Sequence, residues 1–223
     1  MQPTPEKCQD PPVPTDILTK TVLATLAASI ISCAFGQGSG EISSDRLRID
    51  QCWDGPYDMR PNFFGGAPFR EFFHIRIQRG GDLAEVSDGV AIAVDDINYV
   101  RSNLGLPLEV GLSPGVTPPG VPLVPNPDPP RVHIAAFFHN TCREQISTLH
   151  AVRGVIVFEH LFNGDPNETN AGQRLSSAVF DVMVADPRKQ PPGGGPIDQE
   201  ALSQLTGWFQ FYFERGQPAQ PFP

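Results

Sequence analysis

The chain carries little positive charge. Against 25 Asp+Glu stand 16 Lys+Arg, a formal net charge of −9 at pH 7. A nucleic-acid binder needs a basic face that displaces phosphate counterions, so that class is excluded. Charge of either sign is sparse, 18% of residues, which argues against a wholly disordered acidic chain. The uncharged apolar stretch 21–35 would span about 22 Å as a helix, short of a hydrocarbon core about 30 Å thick. Catalytic signatures are missing as well. There is no GxSxG elbow, no GxxxxGK(S/T) loop, no HExxH helix and no GxGxxG ahead of a helix, and no internal repeat is visible. Triads are defined by geometry rather than motif, so this lowers the case for an enzyme without closing it.

What the chain does have is 25 Pro and 21 Gly. Both are poor helix-interior residues, and the mix suits strands joined by turns. At the N-terminal side, Lys20 precedes an apolar stretch that ends in Ile30, Ile31, Ser32 and Cys33. Its length fits a signal-peptide hydrophobic region. Ile30, Ile31, Ser32 and Cys33 resemble the lipobox of bacterial lipoproteins. The resemblance implies that residues 1–32 are a signal peptide and that the Cys33 thiol carries lipid. Asp10, Asp16 and several prolines sit badly in a basic n-region, so 1–17 reads as a misassigned start, with Leu18 as the true one. The glycines and serines of 33–45 read as a flexible tether.

Cysteine use agrees with export. With Cys8 upstream and Cys33 lipidated, Cys52 and Cys142 remain. They point to one disulfide, with two free buried thiols as the rival reading.

The body, 46–216, reads as about eight strands. The strongest show a period of two. In 208–215, Phe209, Phe211 and Phe213 alternate with Gln210, Tyr212 and Glu214. In 69–79, Phe73, Ile75 and Ile77 oppose Phe72, His74, Arg76 and Gln78. In 131–139, Val132, Ile134, Ala136 and Phe138 share a face, as do Ala178, Phe180, Val182 and Val184 in 175–185. Weaker strands are 47–53, 90–97, 106–112 and 148–158. Gly80-Gly81, Asp88-Gly89 and 193–195 read as turns, and the Pro-rich 113–130 as a stiff crossover. One short helix is expected near 198–206, with Asp198 as its cap and Gly207 as its stop, and a second helical turn is possible at 97–103. The expected fold is all-β, an antiparallel two-sheet sandwich, Ig-like in the broad sense, with a Pro-rich tail at 217–223.

Candidate sites are few. His133 and His139 share a strand face but lie about 20 Å apart, too far to share a metal. His139 and Cys142 have a zinc-like spacing, but the cysteine has a use in the disulfide. Asp165, Asn167, Glu168 and Asn170 crowd a turn that offers hard oxygens to calcium, without the EF-hand pattern. Phe72 and Tyr212 fall on polar strand faces, and Trp53 lies at a strand end beside Asp54, Gly55, Pro56 and Tyr57. Exposed aromatics on a sheet can stack on sugars; covered ones only pack.

Beyond the lipobox, the strand 208–215 and the tail GQPAQPFP resemble those of lipid-anchored β-sandwich proteins of myxobacterial-type Gram-negative envelopes. That resemblance implies a non-enzymatic protein of the bacterial cell envelope, held at the outer membrane by lipid on Cys33. It implies no catalytic residue, cofactor or metal, and a protein or glycan partner. A carbohydrate- or peptidoglycan-binding module is the first alternative, and a secreted hydrolase without a motif the second.

Overall fold

The computed structural model describes residues 38–80, 84–116, 128–144, 148–163, 174–191 and 195–213. Cys33, the signal segment 1–32, the 165–170 turn and the tail 217–223 lie outside the described residues. The strands are β1 (Gly38–Ile49), β2 (Trp53–Met59), β3 (Phe63–Phe69), β4 (Phe72–Arg79), β5 (Asp88–Val94), β6 (Pro107–Glu109), β7 (Val132–Phe138), β8 (Thr148–His160), β9 (Leu175–Ala185) and β10 (Ser203–Tyr212). Among the described residues one α-helix, α1 (Ile97–Ser102), follows β5.

The fold is mostly antiparallel β, as expected, but the two sheets of a sandwich are replaced by one. Its order is β2-β1-β10-β9-β8-β7-β5-β4-β3, with β6 added against β8. Closed into a ring, that order is the sequence order, an up-and-down arrangement. The sheet curls into a half-barrel. Each neighbouring pair on the path is antiparallel, so the edge strands β2 and β3 run in the same direction, joined through residues 60–62. Across this seam Phe64 of β3 stacks on Phe211 of β10, ring centroids 6.1 Å apart.

Alternation places the core. Ile42 and Leu47 of β1, Phe73, Ile75 and Ile77 of β4, Val132, Ile134, Ala136 and Phe138 of β7, Phe180 and Val182 of β9, and Phe209 and Phe211 of β10 form one buried cluster inside the curl. Each buried Phe or Ile contributes roughly 1.5–3 kcal/mol over its exposed state. Asp96 caps α1 by accepting the Tyr99 N–H at 2.9 Å, and the helix lays Ile97 and Val100 on the core at one end. The opposite end, which we call the mouth, holds the β1–β2 turn and the start of β10.

Two local expectations are corrected. The helix near 198–206 is a single 3-10 turn, Gln199–Ala201, followed at once by β10. The reason is pairing: Ser203 and Leu205 are buried, and both edges of β10 are taken, by β1 and by β9. The flexible tether over 33–45 is strand from Gly38 onward. Gly38 and Gly40 serve close approach rather than freedom. A Cβ on Gly38 would lie 2.6 Å from the Phe64 ring, and one on Gly40 2.7 Å from the Trp208 carbonyl.

Candidate functional site

Cys52 and Cys142 form a disulfide with their Cα atoms 5.8 Å apart. Cys52 lies in the turn after β1 and Cys142 in the turn after β7, with β10, β9 and β8 between these strands in the sheet. The bridge therefore crosses the mouth of the curl.

Beside it opens a cleft of about 530 Å³. One wall is β2. Trp53, Tyr57 and Met59 share one face of that strand by alternation, Met59 buried and Trp53 38% exposed at the rim. The Trp53 indole meets Tyr57 edge to face at 6.4 Å, and Tyr57 meets the core residue Phe138 in the same way at 5.2 Å. Trp53 Nε1–H donates to the Gly55 carbonyl at 3.2 Å. Asp58, Arg79, Asn140 and Thr141 add polar groups around the aromatic wall.

Asp88 organises the floor. Its side chain accepts the backbone N–H groups of Asn140 and Thr141, both at 2.9 Å, and the Thr141 hydroxyl at 2.6 Å. Burial, together with the charge of this carboxylate, pushes the Tyr57 hydroxyl well above its ordinary range, so it stays a neutral donor. The cleft thus presents an aromatic edge, a cation and several amide and hydroxyl groups on a braced base.

Of the aromatics singled out in the sequence, Trp53, Phe72 and Tyr212 are all exposed. Only Trp53 belongs to the cleft. Phe72 opens β4 at the helix end, and Tyr212 stands on the outward face of β10. The histidines are dispersed. His133 places Nδ1 2.8 Å from the Gly111 carbonyl and Nε2 3.1 Å from Asp95. Burial lowers the His74 and His150 imidazoles below their ordinary range. His139 Nδ1 lies 2.9 Å from the Ala84 carbonyl, and His160 Nδ1 3.0 Å from the Ser177 hydroxyl. Among the described residues no group of three metal-ligating side chains gathers.

Asp88 escaped sequence reading because Asp-Gly reads as a turn. Here Asp88 opens β5, and Gly89 is needed inside the strand, where a Cβ would lie 2.5 Å from the Ile77 carbonyl. Tyr57 carried a faint signal, the 53–57–59 alternation, interrupted by Gly55 and Pro56. No protein-family model, no curated protein and no solved structure matches the chain.

Proposed function

We propose that this protein is a non-enzymatic envelope domain, held at the bacterial outer membrane by lipid on Cys33, that binds glycan at the mouth of its half-barrel. The observation that carries the glycan reading is the cleft itself. A rim tryptophan backed by Tyr57 offers an aromatic surface for sugar C–H groups. Arg79, Asn140 and Thr141 offer hydrogen bonds to hydroxyls from the same cavity. The bridge and the Asp88 network hold these groups in place before a ligand arrives, which lowers the ordering cost of binding. Lipid anchoring rests on the lipobox, Ile30, Ile31, Ser32 and Cys33.

Two experiments test the two halves. Protein recovered from bacterial membranes should have an intact mass that begins at Cys33 and includes two or three acyl chains; an unmodified Cys33 sinks the anchor. Purified protein should be retained on insoluble peptidoglycan or polysaccharide, and Trp53→Ala should lose most of that retention while keeping its circular dichroism. Retention unchanged in Trp53→Ala removes the cleft as the site.

A further inference from the structure

The outer face of β10, β9, β8 and β6 carries an apolar row that the core does not use. In antiparallel ladders, directly opposed residues point to the same side. Trp208 opposes Val179, Val179 opposes Val157, and Val157 opposes Pro107. These alternate with inward residues such as Phe209, Phe180 and Ile156, so the row faces outward. Trp208 is 41% exposed and Val179 46%. At about 4.8 Å per strand the row spans roughly 14 Å. Val155, 40% exposed, lies on the same face two residues along β8.

Carboxylates border this row. Glu41 opposes Trp208 at one end. Asp181 and Glu109 flank Val155 from its two sides. Asp181 accepts a hydrogen bond from the neutral Gln204 amide at 2.8 Å, and Arg153, two residues before Val155 on β8, is the cation on this face. We propose that this face is a docking surface for a protein segment that combines apolar side chains with lysine or arginine. The apolar centre supplies burial, and the acidic border selects cationic flanks. A second copy of this chain would bring the same carboxylates against themselves. A glycan would find aliphatic side chains where it stacks best on rings, since Trp208 is the row's one aromatic residue.

The probe is a labelled short peptide of alternating leucine and lysine, titrated into the full chain carrying Trp53→Ala and followed by fluorescence anisotropy. That background disables the proposed glycan cleft, so failure here is separate from failure there. With two tryptophans in the chain, it also leaves Trp208 as the sole indole reporter. Binding should weaken with salt and be about tenfold weaker for a leucine–glutamate or a serine–lysine peptide. Val179→Ser should cost about tenfold, and Glu41→Lys with Asp181→Lys should turn the preference toward the leucine–glutamate peptide. Val179 and Asp181 are exposed and Glu41 is half-buried on the outer face, so circular dichroism should not change. Equal binding of the leucine–lysine and serine–lysine peptides would show charge alone at work and overturn the proposal. So would self-association on sedimentation that Val179→Ser abolishes, a shift of Trp208 emission by soluble oligosaccharide, or no peptide binding.

Discussion

Asp88 joins three donors from the turn that carries Cys142, and it sits 5% exposed beneath the cleft. Removing it strands two part-buried N–H groups and a hydroxyl. Asp88→Ala should therefore cost about 2–3 kcal/mol in denaturant unfolding with the bridge intact, and Thr141→Val clearly less. Titration acts through other side chains. His74 and His150 are held by burial below their ordinary value of 6.5. Between the folded and unfolded values the unfolded chain binds more protons, so stability falls as pH drops below about 6.5. His150→Gln should remove part of that loss in thermal melts taken between pH 7 and pH 5. Asp186 acts lower. Hydrogen bonds from Arg188 hold it below its ordinary 3.8, so its contribution is present above that value and is lost as pH falls through the depressed one.

Strands were legible where side chains alternate without interruption. The run 175–185 is strand to the residue, and the inward sets of β4 and β7 match the periodic positions. β3 was hidden by Gly65, Gly66 and Pro68, and β2 by Gly55 and Pro56, because a glycine or proline blanks the periodic signal. Both prolines sit on the edge strands of the path, where a missing N–H is tolerated and pairing with another chain is discouraged. The capping pattern at 198–207 yields only the turn Gln199–Ala201, where Asp198 makes no side-chain capping bond, and pairing of β10 on both edges takes the rest. Gly207, read as a helix stop, is instead a contact point: a Cβ there would lie 2.6 Å from the Phe180 ring and 2.8 Å from the Glu41 carbonyl. Gly207→Ala should destabilise by about 1–3 kcal/mol, whereas Gly115→Ala, with nothing within 4 Å, should be close to neutral in the same melt.

The candidate site as a whole was only half legible. Trp53 and the two cysteines could be picked out one by one, but their meeting at one mouth depends on the curl of the sheet, which no local pattern encodes. The cysteines are 90 residues apart, so their bridge removes a large share of the unfolded chain's freedom. Cys52→Ser with Cys142→Ser should lower stability by about 4 kcal/mol in denaturant unfolding.

β1 also decides how the molecule bears load. A hold applied before Gly38 and a ligand gripped at the mouth pull along β1 from its two ends. Its rungs with β10, from Gly38 opposite Phe211 to Ser43 opposite Thr206, then resist together in shear. Pulling residue 38 against residue 213 opens the same rungs one after another, because both positions lie at one end. Single-molecule extension should thus show the higher rupture force along the first axis. Beyond rupture the bridge stops the chain at Cys52, and reducing it should release about 30 nm of further length.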